Sequence, residues 1–240
     1  MTTDVSIEEH KVADRERGPY AVTAGPDGAL WYAQVHSGRI GRLTLDGEHT
    51  EYLLTPDCGP MVIIPGLDGA LWFTENRPHR IGRVTTAGVV AGYPLPTPVC
   101  GPFGIAQGPD GALWFTETLA DRIGRIAPDG QVTEYDLPVR GAFPSAITAG
   151  GDGALWFTLN QADAIGRIDT DGAIRIHPLG GGGANSAART MPQEQRRRAR
   201  TTRPTRFRRA RQPDPRRLPA RVVHKVKNGV SVGIGTVMSV

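Results

Sequence analysis

The sequence predicts an all-β protein, a β-propeller built of four-stranded blades, and three observations carry that prediction. The four tryptophans of the 240-residue chain stand at Trp31, Trp72, Trp114 and Trp156, spaced 41, 42 and 42 residues apart. Around each one the wording recurs, as Asp27-Gly-Ala-Leu-Trp, Asp68-Gly-Ala-Leu-Trp, Asp110-Gly-Ala-Leu-Trp and Asp152-Gly-Ala-Leu-Trp, and nine residues after each Trp an Ile-Gly-Arg begins, at Ile40, Ile81, Ile123 and Ile165. No window in the first 179 residues combines a 3.6-residue apolar period with freedom from Gly and Pro, which removes the helical arrays of similar period.

The third copy shows what one repeat contains. Phe103-Gly-Ile-Ala-Gln is a short apolar strand, and Gly108-Pro-Asp-Gly111 places Pro and Gly where a tight turn needs them. Ala112 to Glu117 reads as a second strand, apolar and aromatic on both faces because neighbours cover both. A loop leads to a third strand over Arg122 to Ile126. The turn Pro128-Asp-Gly130 then leads to Val132-Thr-Glu-Tyr-Asp-Leu137, whose alternation suits an edge strand. Four strands in about 42 residues make a propeller blade. The Trp rings are expected to fill the gaps between blades. The Gly of each Ile-Gly-Arg is expected to admit a close ring or backbone approach, and the Arg beside it to pair with a blade carboxylate.

Charge divides the chain near residue 180. From Gly180 onward 15 Lys and Arg face two acidic residues, whereas the preceding part holds 13 basic and 22 acidic residues. The organisation read from this is an N-terminal segment over 1–17, four blades over 18–179 and an Arg/Pro-rich tail over 180–240. The tail lacks Trp, Asp-Gly turns and any repeat, and it reads as a frameshifted or disordered segment; the competing reading is a basic arm that meets nucleic acid non-specifically. No apolar run approaches the roughly 20 residues of a membrane span, and residues 1–17 contain no signal-peptide core, so a cytoplasmic chain is expected. Cys58 and Cys100, at one place in successive copies, are then expected as free thiols.

The text Gly-Pro-Asp-Gly-Ala-Leu-Trp-Phe-Thr-Glu, then Ile-Gly-Arg-Ile, then Thr-Glu-Tyr-Asp-Leu-Pro resembles a blade of the virginiamycin B lyase, or streptogramin B lyase, family, over residues 18–179. The resemblance implies a seven-bladed propeller that opens the lactone ring of type B streptogramin antibiotics at the ester bond by elimination, assisted by Mg²⁺. Its partner would be a cyclic depsipeptide. It also implies a catalytic His after Pro at a blade opening and a Glu closing a Trp-Phe-Thr-Glu strand, both in late blades. Here the blade openings are Pro19-Tyr20, Pro60-Met61, Pro102-Phe103 and Pro144-Ser145, and none has His. The strand-closing residues are Gln34, Glu75, Glu117 and Leu159.

Glu75 and Glu117 therefore read as blade-rim carboxylates, solvated or paired with Arg. His10, His36, His49, His79, His177 and His224 show no metal-ligand spacing and read as surface or loop residues. No catalytic, cofactor-binding or metal-binding residue is assigned, and no bound Mg²⁺ is expected. The expectation is four blades of a seven-bladed design, an open fragment prone to aggregate, with a non-catalytic binding propeller as the alternative function.

Overall fold

The computed structural model describes residues 9–10, 16–180 and 222–223. The basic tail, and with it the frameshift, disorder and nucleic-acid readings, lies outside them apart from Gly180, Val222 and Val223. The chain divides into two compact units, Met1–Pro178 with Pro219–Val240, and Leu179–Leu218. Of the second unit only Leu179 and Gly180 are described.

In the first unit, β1 (Glu9–His10) pairs antiparallel with β18 (Val222–Val223). Between them run four antiparallel sheets, each made of four consecutive strands. Blade 1 is β2 (Pro19–Ala24), β3 (Leu30–Gln34), β4 (Arg39–Leu43) and β5 (His49–Leu53). Blade 2 is β6 (Pro60–Pro65), β7 (Ala70–Glu75), β8 (Arg80–Thr85) and β9 (Val90–Pro94). Blade 3 is β10 (Pro102–Gln107), β11 (Leu113–Glu117), β12 (Arg122–Ile126) and β13 (Val132–Asp136). Blade 4 is β14 (Pro144–Ala149), β15 (Leu155–Leu159), β16 (Ala164–Ile168) and β17 (Ile174–Pro178). Among the described residues there is no helix, and the four strands expected for the third copy all form.

The recurring Asp does more than shape its turn. In blade 3 the Asp110 Oδ1 accepts the Trp114 indole N–H at 3.0 Å, and its Oδ2 accepts the Arg125 Nε–H at 2.7 Å. The same triad ties Asp27 to Trp31 and Arg42, Asp68 to Trp72 and Arg83, and Asp152 to Trp156 and Arg167. Burial pushes the Asp110 carboxyl upward, but the Trp114 and Arg125 donors outweigh it and hold the group below the usual range. At Asp152, the Trp156 and Arg167 donors hold the carboxyl at about 2. The Trp ring then stacks on an outer-strand ring, Tyr52, Tyr93, Tyr135 or His177. Gly124 is required because a Cβ there would stand 2.1 Å from the Phe115 ring that lies across it. The turn glycine Gly111 has φ +80°, a left-handed conformation that side chains resist.

The first strands of successive blades lie side by side, β2 by β6, β6 by β10 and β10 by β14. Each interface joins a Trp-bearing face to the Leu and Phe of the next blade. Trp31 packs with Leu71 and Phe73, Trp72 with Leu113 and Phe115, and Trp114 with Leu155 and Phe157. A buried threonine adds a hydroxyl tie: Thr116 Oγ1 donates to the Ser145 carbonyl at 2.7 Å, as Thr74 Oγ1 does to that of Phe103. Trp31, Trp72 and Trp114 are buried, while Trp156 and Thr158, with no further blade over them among the described residues, are half-buried.

Candidate functional site

The strands that differ most between blades meet at the end where the second strand closes. Register fixes who meets whom there. The closing residue faces the first residue of the third strand, which faces the last residue of the fourth, and the fourth strand's third residue faces the Gly of Ile-Gly-Arg. Blade 1 thus gathers Gln34, Arg39, Leu53 and Glu51. Blade 2 gathers Glu75, Arg80, Pro94 and Gly92, and blade 3 gathers Glu117, Arg122, Asp136 and Glu134. Two residues before the blade-opening Pro of blades 1, 2 and 3 stand Arg17, Cys58 and Cys100, and in blade 4 Ala142.

In blade 1, Glu51 is the hub and accepts from Arg17 at 2.6 Å, Gln34 at 2.9 Å and Arg39 at 3.2 Å. In blade 2 the outer strand offers no carboxylate, and Arg80 turns inward. Its Nε donates to Glu75 Oε2 and one terminal nitrogen to Glu75 Oε1 at 3.3 Å, so a carboxylate only 1% exposed keeps a fork-shaped partner.

In blade 3, Arg122 goes the other way. Its Nε donates to Asp136 at 2.7 Å and Nη1 to Glu134 at 3.0 Å and to the Thr97 hydroxyl. Glu117, 0% exposed, is left with neither oxygen hydrogen-bonded. Burial first, then the charge of Glu134, pushes its carboxyl up to about 8. The expectation of a solvated or Arg-paired rim carboxylate is met by Glu75 as an ion pair. It fails for Glu117, because Glu134 and Asp136 outcompete Glu117 for the one arginine.

The neighbouring thiols Cys58 and Cys100 are free and buried, and burial pushes each up to about 12, so neither is a ready nucleophile. The blade-opening side chains Tyr20, Met61 and Phe103 are half-buried, with the Tyr20 and Phe103 rings edge to face at 6.3 Å although two blades apart in sequence. Of the histidines, His49 and His177 lie on exposed outer strands rather than in loops, and His79 Nδ1 accepts the Gly101 amide at 3.2 Å. His224 lies outside the described residues. A groove of about 320 Å³ between blades 2 and 3, lined by Leu67, Trp72, Leu113 and Pro128, is at the opposite, turn-bearing end and is mainly apolar. Among the described residues no three metal-ligating side chains converge, and Glu117 stands beside carboxylates already taken by Arg122, so this donor set does not fit Mg²⁺. No helix among them is long and apolar enough to cross a membrane.

Four-stranded blades with inter-blade tryptophans define a β-propeller repeat protein. The family model of the virginiamycin B lyase family matches residues 5–192, and the chain belongs to that family. Among solved structures, the virginiamycin B lyase of Staphylococcus aureus superposes with a TM-score of 0.72 and 43% identity, over 75% of this chain and 61% of that one. A catalytically inactive His-to-Ala form of that enzyme with quinupristin gives 0.68 and 42%, over 71% and 59%. The virginiamycin B lyase of Saccharopolyspora erythraea is 58% identical over 53 residues, 22% of this chain and 18% of that protein. The chain thus spans about three fifths of the staphylococcal structure. A gluconolactonase of Xanthomonas campestris, at 20% identity and a TM-score of 0.55, shares the fold.

Proposed function

We propose that this protein binds type B streptogramins, the class its family opens at the lactone ester by elimination, and that the described blades supply scaffold and antibiotic-facing surface without the proton-abstracting group. The observation that carries this is the set of blade openings. Tyr20, Met61, Phe103 and Ser145 occupy the blade-opening position at which the resemblance implies an imidazole in late blades, and in the staphylococcal relative replacing one histidine by alanine gives an inactive form. A base that takes a carbon-bound proton needs a group titrating near the working pH within hydrogen-bond reach of it. Glu117 titrates there but is sealed from solvent, and the phenol of Tyr20 is raised by burial. The aromatic and thioether surface of Tyr20, Met61 and Phe103 suits the apolar side of a cyclic depsipeptide.

A cytoplasmic location accords with the two free thiols. The test is to titrate quinupristin into the purified chain, with and without Mg²⁺, while following linear product by mass spectrometry. Saturable binding with an intact ring is expected. Ring opening would overturn the non-catalytic reading, and absence of both would leave a propeller for some other ligand.

A further inference from the structure

The same repeat position holds its arginine in two different places. Arg80 forks onto buried Glu75, whereas Arg122 holds Asp136 and Glu134; each also donates to the hydroxyl of the linker threonine ahead of its blade, Arg80 to Thr55 at 2.7 Å and Arg122 to Thr97. Thr97 lies in the linker between β9 and β10. It is tied to Glu134 through its amide at 3.0 Å and its hydroxyl at 2.6 Å. We propose that Arg122 is a two-position latch set by the protonation of Glu117: outward it holds Asp136 and the Thr97-bound Glu134 on β13, and inward it forks onto Glu117 as Arg80 does onto Glu75, releasing both outer-strand carboxylates while the linker threonine stays in reach, as Thr55 does for Arg80.

Three observations support the inward position. The register of Glu117 with Arg122 is the register of Glu75 with Arg80, so the same side-chain geometry spans the pair. Glu117 is fully buried with both oxygens unpartnered, the one carboxyl in the cluster that lacks what the arginine offers. Of the two outward partners, Glu134 is 10% exposed but also held by Thr97, and Asp136 is 56% exposed, where an ion pair is screened by water, while a pair at fully buried Glu117 would be screened far less. A neutral Glu117 makes the outward position the better one, since the acid form has no charge to attract a guanidinium and Glu134 does. Once Glu117 ionises, it is a buried, unsolvated carboxylate beside Glu134, and the guanidinium is its nearest counter-charge.

The groups that face this carboxyl are Arg122 on β12, Glu134 and Asp136 on β13, and Cys100 ahead of β10, with Arg140 acting on Asp136. The thiol of Cys100 stays protonated over the range concerned, because burial raises it to about 12. The Arg122 guanidinium holds the Asp136 carboxyl below its usual range, so Asp136 does not titrate here.

The test is an NMR titration of the intact chain from pH 6 to 10, reading the Glu side-chain carboxyl carbons, the Arg Nε–H signals and the Thr97 amide. Glu117, Arg122 Nε–H and the Thr97 amide are expected to move together with one midpoint near 8, the value set by burial and Glu134. In Asp136→Asn, an exposed substitution, the inward position gains, and the midpoint is expected to fall by about one pH unit or more, a tenfold change in proton affinity. In Glu117→Gln, Arg122 and Thr97 should be flat across the range. The latch is overturned if Glu117 titrates while Arg122 and Thr97 stay still, if Glu117 does not titrate between pH 6 and 10, or if Asp136→Asn leaves the midpoint in place. Should Glu117→Gln fail to fold, the wild-type and Asp136→Asn titrations decide the matter.

Discussion

Blades 2 and 3 carry the same second-strand text, Leu-Trp-Phe-Thr-Glu, and the same Arg-Ile-Gly-Arg on the third strand, yet the two glutamates end in opposite states. Glu75 is paired and Glu117 is buried alone. Two outer-strand positions facing the arginine strand differ in charge, Gly92 and Pro94 in one blade against Glu134 and Asp136 in the other. An arginine on a sheet chooses between carboxylates on the strands either side of it, and burial of one glutamate does not guarantee that it wins. The lesson is that a repeat's local wording sets position, and its cross-strand neighbours set charge.

The sharpest way to break the comparison is Arg80→Ala. It leaves Glu75 as an uncompensated buried carboxylate and is expected to cost about 3 to 5 kcal/mol at pH 7. Urea unfolding at pH 7 would measure it; a cost below about 1 kcal/mol would mean Glu75 does not depend on Arg80.

Next comes Glu117→Gln. The folded-state carboxyl titrates at about 8 against an ordinary 4.5, so between those values the unfolded chain gives up a proton that the folded chain keeps. Stability attributable to this group is therefore full in acid, declines as pH rises from about 4.5 to about 8, and is flat beyond. Removing the charge should leave stability at pH 4 nearly unchanged and raise it by about 2 to 4 kcal/mol at pH 9. Equal stability curves for variant and wild type across that range would contradict the burial argument.

A smaller effect is expected from grafting blade 3 onto blade 2. In Gly92→Glu a Cβ would meet Arg80 Nε at 3.0 Å, and the new carboxylate would draw the guanidinium outward. A loss of about 1 to 2 kcal/mol is expected, visible as a lowered Tm in calorimetry. A gain in Tm would show that Arg80 can serve both acids. The least change belongs to Arg122→Ala, whose partners are partly solvated or, for Glu134, also held by Thr97. It should cost about 1 kcal/mol, well short of Arg80→Ala in the same assay.

Much of the blade was legible in the text because its determinants are local. The Asp-Gly turns, the apolar second strand and the glycine beneath Phe115 each act within some dozen residues, and the strands of the third copy formed where period and turn chemistry placed them. The pairing of the Ile-Gly-Arg arginine with a blade carboxylate was foreseen, but not that the carboxylate would be the turn Asp itself. The constant separation of 15 residues between Asp110 and Arg125, and between the other three pairs, was the signal. The state of Glu117 was not legible, since Glu134 and Asp136 become its rivals only when β13 is laid beside β12.

The sequence by itself determined that the chain is a propeller of repeated four-stranded blades, where each turn falls and which family text it carries. These depend on residue spacing, which translation of the strand period makes visible. Tertiary structure decided which carboxylate owns which arginine, that Tyr20 meets Phe103 across the first strands, and that Trp156 differs from the three buried tryptophans. Those outcomes depend on distances between residues far apart in the chain and on how much water reaches them, and a buried charge responds to both.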